Sequence, residues 1–140
     1  MHRVLLALGL LSLVGCSRWT YLDHVPNPQT VQDPYMEVAQ LLGRAQRPIS
    51  VQATAESLQF YGRYGRRTLV YNQMTEIGLL QGRGVFQVDV ITGRRAALRP
   101  RFYDEATARR LIDVLAALKQ RASAPGVFTQ RAPANVPPGY

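Results

Sequence analysis

The sequence predicts an α+β fold, in which a small antiparallel β-meander curls into a partly closed barrel and a C-terminal amphipathic helix follows. Three observations predict it. From Ile49 onward apolar residues alternate with polar ones, the period of strands with one buried face. Over residues 106–118 the apolar residues fall on one stripe of a helix. A chain of 140 residues, 46% of them hydrophobic, suffices for one such domain.

A short helix is predicted before the strands, over residues 34–46. Asp33 is expected to cap its N-terminus, and Pro34 stands at the first helical position, where its missing N–H has no partner to lose. The predicted buried face consists of Met36, Val38, Leu41 and Leu42.

The predicted strands belong to a domain spanning residues 48–121. Turn residues separate them, notably Gly62-Arg63-Tyr64-Gly65 and Thr92-Gly93. In chain order the strands are expected at 49–53, 58–60, 67–71, 79–80, 85–91 and 96–102.

The C-terminal helix is predicted to start at its cap, Asp104, and to run to about Gln120. Its apolar stripe consists of Ala108, Leu111, Ile112, Leu115 and Leu118. The residues off this stripe are predicted to form a solvated face, namely Arg109, Arg110, Asp113, Lys119 and Gln120. Residues 122–140 are rich in proline and lack an apolar period, so we predict a flexible tail.

This order of elements resembles the pleckstrin-homology-like (PH-like) superfold, in particular the small bacterial PH domains. Those domains often carry an aromatic residue followed, at three-residue spacing, by two aliphatic ones, and Tyr71, Met74 and Ile77 offer that pattern here. Residues 106–118 resemble the helix that plugs one end of their barrel. The resemblance implies a fold and no particular function, because this superfold hosts lipid, peptide and protein binding.

The chain begins with the composition of an export signal. A short positive stretch, Met1-His2-Arg3, precedes an almost wholly apolar run over residues 4–14. The run is shorter than the about 20 helical residues needed to cross a hydrocarbon core. Residues 1–15 are therefore predicted to be a signal peptide rather than a transmembrane helix.

The apolar run closes on Leu13-Val14-Gly15-Cys16, which contains the one cysteine of the chain. This tetrapeptide resembles the lipobox of bacterial lipoproteins. The resemblance implies cleavage between Gly15 and Cys16, a diacylglycerol on the Cys16 sulfur and an acyl chain on its new amino terminus. Ser17, rather than aspartate, follows the cysteine. By the same resemblance this implies that the protein is sorted to the outer membrane of a Gram-negative envelope, where it faces the periplasm. The alternative interpretation of Cys16 is a buried free thiol near the start of an apolar helix.

Residues 16–33 are predicted to be a tether between the lipid and the domain, because they contain prolines and polar residues without a sustained period. Two interpretations of Trp19, Tyr21 and Val25 remain open. These side chains either rest in the headgroup region of the membrane or dock on the domain.

Few residues suited to catalysis follow the signal. His24 is the single histidine there, so neither a histidine base nor a zinc site is expected. The adjacent acids Asp104 and Glu105 suit the first turn of a helix. The segments GRYGRR and QGRGVF lack the spacing of phosphate-binding loops and are predicted turns. The sequence thus predicts a protein that is not an enzyme, with no metal and no cofactor beyond the acyl groups.

The net charge is +8, from 17 basic and nine acidic side chains, and Lys119 is the single lysine. Two explanations of this arginine excess remain open: a GC-rich coding sequence, or selection for an anionic partner. Arginines beside predicted turns are the candidates for anion or partner binding, and some are expected to share one rim of the barrel. They are Arg63, Arg66, Arg67, Arg83, Arg94 and Arg95.

Two functions fit these expectations better than a third, a purely structural lipoprotein with no discrete ligand. The first is a lipid-anchored envelope protein whose domain binds a protein partner, as an accessory or assembly factor of an envelope complex. The second is the binding of an anionic lipid headgroup or a small envelope ligand by the basic rim. Nucleic acid is not an expected partner of an exported lipoprotein.

Overall fold

The computed structural model describes residues 19–123; the predicted signal peptide, Cys16 and residues 124–140 of the predicted tail lie outside the described residues. In chain order its elements are β1 (Thr20–Leu22), a 3-10 helix (Pro28–Thr30), α1 (Pro34–Gly43), β2 (Val51–Ala53), β3 (Ser57–Gly62), β4 (Gly65–Val70), a second 3-10 helix (Tyr71–Gln73), β5 (Met74–Gln81), β6 (Phe86–Thr92), β7 (Arg95–Leu98), β8 (Arg101–Phe102) and α2 (Glu105–Ser123). The predicted α+β class, with antiparallel strands and a C-terminal helix, is confirmed.

The strands form two antiparallel sheets instead of one meander. The small sheet has the order β2-β3-β4, and the main sheet has the order β1-β5-β6-β7, with β8 also paired to β6. The 3-10 helix at Tyr71–Gln73 interrupts the path between β4 and β5. Among residues 19–123 no strand pairing joins the two sheets, so closure into a barrel is not a feature of this structure.

A single hydrophobic core lies between the main sheet, the small sheet and the two helices. The apolar stripe predicted for α2 is confirmed, since Ala108, Leu111, Ile112, Leu115 and Leu118 are all buried. The face predicted for α1 is partly wrong, because Met36 is 57% exposed while Val38, Leu41 and Leu42 are buried. With 100° per residue, Met36 points about 140° away from Leu41 around the helix axis.

Both helices start at the predicted aspartate caps. Asp33 Oδ1 accepts a hydrogen bond from the Met36 amide at 3.2 Å. Asp104 Oδ2 accepts from the Thr107 amide at 3.0 Å and from its hydroxyl at 2.7 Å. The hydrogen bonds from Thr107 lower the pKa of Asp104 below its ordinary value, because they stabilise the carboxylate.

The segment before α1 belongs to the fold, so the predicted tether is wrong for its described part. Strand β1 pairs with β5. Farther along, His24 Nε2 lies 2.8 Å from Asp113 Oδ1, and the Asn27 amide donates to the same oxygen at 2.8 Å. Arg109 donates to the Asp23 carbonyl at 2.9 Å. The segment thereby covers part of α2 through polar contacts. A pattern of apolar residues does not predict such contacts.

The same contacts correct the solvated face predicted for α2. Arg110 forms a two-point ion pair with Glu37 of α1 and also donates to the Thr30 hydroxyl at 2.7 Å. The hydrogen bond with Glu37 raises the pKa of Arg110 further above its ordinary value. Lys119 donates to the carbonyl of Met74 at the start of β5. Charged residues on this side of α2 therefore join the helix to its neighbours.

Tyr71 joins the two sheets at the point where the chain passes between them. Its ring is fully buried, and its hydroxyl lies 2.9 Å from two acceptors, the carbonyls of Thr54 and Ser57 at the β2–β3 turn. Burial raises the pKa of the Tyr71 phenol well above its ordinary value, and the nearby Tyr35 adds a smaller rise.

Replacement Tyr71→Phe is expected to lower the free energy of unfolding by about 1 to 2 kcal/mol, because the Thr54 carbonyl loses its hydroxyl donor. The raised pKa adds a dependence on pH. Above about pH 10 the unfolded tyrosine ionises first, so wild-type stability falls with pH, and Tyr71→Phe should show a shallower fall. Urea unfolding at pH 7 and at alkaline pH measures both effects; equal slopes against pH would contradict this role.

Candidate functional site

The face of the main sheet turned away from α2 carries polar side chains at its centre. In β6, Val88 and Val90 point into the core, so the alternating residues Gln87 and Asp89 point to the opposite face. Each of these two polar residues is only 7% exposed. A buried amide and a buried carboxylate on the outer face of a sheet need polar partners there.

Strand register aligns further residues with this pair. Leu80 of β5 pairs with Gln87, and Gln87 pairs on its other side with Arg101 of β8. Tyr21 of β1 pairs with Leu80 on its free side. Paired residues of antiparallel strands share a face. One row across this face of the sheet therefore consists of an aromatic, an aliphatic, an amide and a guanidinium side chain, in that order.

Two aromatic side chains form one wall of the site: Trp19, just before β1, and Tyr21, within β1. Gly82, just after β5, makes room for the Trp19 ring. A Cβ placed at Gly82 would lie 2.8 Å from the Trp19 ring, which is closer than real side chains approach. A Cβ placed at Gly78 would lie 3.6 Å from the Tyr21 ring. Trp19 thus lies directly over the backbone at Gly82.

A chain of polar contacts fixes the arginines of the site. Arg101 Nε donates to Gln87 Oε1 at 2.9 Å, and Gln87 Nε2 donates to Asp89 Oδ1 at 2.6 Å. Arg99 Nε lies 3.4 Å from the same Asp89 oxygen. The Arg101 guanidinium also lies over the Trp19 ring, 5.0 Å from its centroid, at cation–π distance. Arg101 is thereby held between a hydrogen bond and an aromatic face.

The opposite wall comes from the loop that connects α1 to β2. The backbone N–H of Gln46 donates to the backbone carbonyl of Arg101 at 2.7 Å, which holds this loop against β8. Between the walls lies a groove of about 980 Å³. We call it the arginine groove; it is lined by Trp19, Tyr21, Gln46, Arg47, Ile49, Leu80, Gln87, Asp89, Arg99, Pro100, Arg101 and Tyr103.

Cations outnumber anions in the arginine groove. Arg47, Arg99 and Arg101 line it, against the single carboxylate of Asp89. Within residues 19–123, the guanidinium of Arg47 makes no ion pair or hydrogen bond, and the terminal nitrogens of Arg101 bond to no protein acceptor. The groove therefore presents guanidinium donors suited to carboxylate or phosphate groups, beside aromatic surface.

The arginines singled out from the sequence lie elsewhere, at three separate turns. Arg63, Arg66 and Arg67 belong to the β3–β4 hairpin. Arg83 lies in the β5–β6 turn, whereas Arg94 and Arg95 lie at the β6–β7 turn, at the opposite end of β6. The six candidates therefore do not form one rim of the domain, because β6 separates two of the turns.

Sequence reasoning missed the residues of the arginine groove, although a signal for them is present. Gln87 and Asp89 alternate with Val88 and Val90, and Arg99 and Arg101 alternate with Leu98, Pro100 and Phe102. Strict alternation places all four polar residues on the non-core side of neighbouring strands. The sequence does not predict the place of Trp19, because the pairing of β1 with β5 is a long-range contact.

Within residues 19–123 no group of three or more histidine, cysteine, aspartate or glutamate side chains is placed to hold a metal ion. Neither helix in that range is long and apolar enough to cross a membrane. Every buried side-chain nitrogen or oxygen described has a hydrogen-bond partner.

Comparison of the chain with protein-family models, with curated proteins and with solved structures gave no significant match. We therefore infer the function from the residues and geometry of the chain itself.

Proposed function

We propose that this chain is a non-catalytic lipoprotein of the bacterial envelope whose domain binds a protein partner through the arginine groove. In this proposal Cys16 carries a diacylglycerol and an N-acyl chain, and the domain faces the periplasm from the outer membrane. Leu13-Val14-Gly15-Cys16 and the export signal before it support the anchor; Ser17 supports the sorting. The partner would be a component of an envelope complex for which this protein is an accessory or assembly factor.

The observation that carries the binding function is the unpaired positive charge of the arginine groove. Arg47 and the outer edge of the Arg101 guanidinium offer donors that no described residue uses. Because Asp89 is already engaged by Gln87 and Arg99, it does not neutralise them. A partner segment that brings carboxylates would supply the missing acceptors.

The shape of the groove favours a chain segment over a single ion. Its volume of about 980 Å³ far exceeds the room needed for one carboxylate or phosphate group. Trp19, Tyr21 and Tyr103 add aromatic surface, and tryptophan, tyrosine and arginine are the residues that most often dominate binding energy at protein interfaces. An extended acidic segment of a protein fits these features.

The fold also bears on the resemblance to PH-like domains, which we propose as an architectural relationship. Tyr71 and Met74 are buried, Ile77 packs against the core, and α2 covers the core side of the main sheet.

Charge reversal at Arg47 tests the binding function. Arg47→Glu is expected to reduce recovery of the partner from crosslinked membranes about tenfold, equivalent to about 1.4 kcal/mol, because a carboxylate then faces the acidic segment. Arg47 is exposed and makes no ion pair among the described residues, so the fold should not change. Arg94→Glu, the same charge change at a distant turn, is the matched control.

Quantitative mass spectrometry of the crosslinked material gives the measurement. Recovery of a protein with an acidic segment by the wild type and by Arg94→Glu, but not by Arg47→Glu, supports the proposal. Equal recovery by all three chains, or recovery of abundant membrane proteins only, would reject the arginine groove as the binding site.

A further inference from the structure

The β3–β4 hairpin ends in a cluster of arginines and tyrosines that the proposed function does not use. We call it the hairpin tip and define it as Tyr61, Arg63, Tyr64, Arg66 and Arg67. Tyr61 is 76% exposed and Tyr64 is 90% exposed, and the three arginines are exposed as well. Register pairs Tyr61 with Arg66 across the hairpin, so an aromatic ring and a cation stand side by side on one face.

The charge of the hairpin tip is not compensated nearby along the chain. No acidic residue occurs between Glu56 and Glu76, and Glu56 precedes β3 at the end of the hairpin opposite the tip. The contacts of the tip are local: Arg66 donates to Gln59, and Arg63 lies 5.8 Å from the Tyr64 ring centroid. The tip therefore presents positive charge and amphipathic rings to its surroundings.

The hairpin tip lies at the end of the small sheet where β2 begins, next to the loop that contributes to the arginine groove. Val51 pairs with Phe60, so Ile49, two residues before Val51, reaches toward Gly62 in the turn. Ile49 lines the arginine groove together with Trp19. Three peptide units separate Trp19 from Cys16, a reach of at most about 11 Å. Acyl groups on Cys16 would hold this end of the domain close to a bilayer.

We infer that the hairpin tip binds the surface of an anionic phospholipid bilayer and sets the orientation of the domain on it. Arginine donates hydrogen bonds to lipid phosphates, and tyrosine is enriched at the boundary between headgroups and acyl chains. A protein partner is the weaker assignment for this surface. Stable protein interfaces bury about 800 Å² on each side, more than one hairpin turn provides.

Binding to vesicles tests the inference on the whole mature chain, residues 16–140, with Cys16→Ser to remove the acylation site. We expect this protein to float with phosphatidylglycerol vesicles at low salt and not with phosphatidylcholine vesicles. Raising the salt to about 0.5 M should release it, because screening shortens the reach of surface charge. Absence of flotation with phosphatidylglycerol at low salt would overturn the inference.

Matched variants locate the binding surface. Arg63→Glu/Arg66→Glu is expected to weaken vesicle binding at least about tenfold. Arg94→Glu/Arg95→Glu makes the same charge change at the β6–β7 turn, far from Trp19 along the main sheet, and should bind nearly as the wild type does. Equal loss in both variants would show an effect of net charge alone and would reject the hairpin tip.

A second pair of variants tests the tyrosines without a change in charge. Tyr61→Ser/Tyr64→Ser is expected to weaken binding several-fold, whereas Met36→Ser, a substitution at an exposed apolar residue of α1 outside the arginine groove, should not. Loss of binding in Met36→Ser and not in the hairpin variant would contradict the assignment. The vesicles contain no protein, so this result and the capture experiment on Arg47 stand or fall separately.

Discussion

Replacement Cys16→Ser is expected to abolish membrane anchoring. A serine hydroxyl does not accept the diacylglycerol in place of the thiol, so the precursor should stay uncleaved and carry no acyl label. The loss is large, since each buried methylene of an acyl chain contributes about 0.8 kcal/mol to membrane binding. Metabolic labelling with a radioactive fatty acid, followed by electrophoresis, measures acylation and cleavage together.

A variant outside the tetrapeptide controls for general damage to the signal. Ser12→Ala changes one side chain of the preceding apolar run and should be processed and labelled as the wild type is. Normal cleavage and labelling of Cys16→Ser would refute the lipoprotein assignment. Cys16 would then return to its alternative interpretation as a free thiol.

The largest expected effect on stability comes from Leu42 in α1. Its side chain is completely buried in the shared core. Leu42→Ala removes methylene groups and leaves a cavity, so we expect a loss of about 2 to 5 kcal/mol from the free energy of unfolding. That loss is a large fraction of the total stability of a small domain. Urea unfolding followed by circular dichroism gives the value.

Met36 of the same helix provides the matched control. Sequence periodicity predicts it on the same apolar face, yet its side chain is 57% exposed. Met36→Ala should therefore change the free energy of unfolding by less than about 0.5 kcal/mol. Similar losses for the two alanine variants would mean that α1 packs on the core with a different face.

The sequence determined the elements better than their arrangement. Alternation and helical periodicity predicted the strands and helices near their observed positions, because one buried face leaves a local pattern. Arrangement depends on contacts between distant residues, which leave no such pattern. The pairing of β1 with β5 joins segments about 60 residues apart in the chain. The contact of His24 with Asp113 joins segments about 90 residues apart.

The candidate site was harder to predict for the same reason. Arginines at turns are conspicuous in a sequence, but turns at opposite ends of β6 do not meet, which separates Arg83 from Arg94. The arginine groove instead uses residues within and between strands. Arg101 becomes a site residue only when Gln87, Trp19 and the loop at Gln46 converge on it.

The central claim is that the arginine groove binds a protein. Site-specific photo-crosslinking in intact membranes is its most direct test. The photoreactive residue would replace Tyr103 in the groove or, as a control, Val25, which is 87% exposed and does not line the groove. The account predicts a protein adduct of discrete mass at position 103 that disappears when Arg47→Glu is added, and no such adduct at position 25. Absence of a protein adduct at position 103, or the same adduct at both positions, would contradict it.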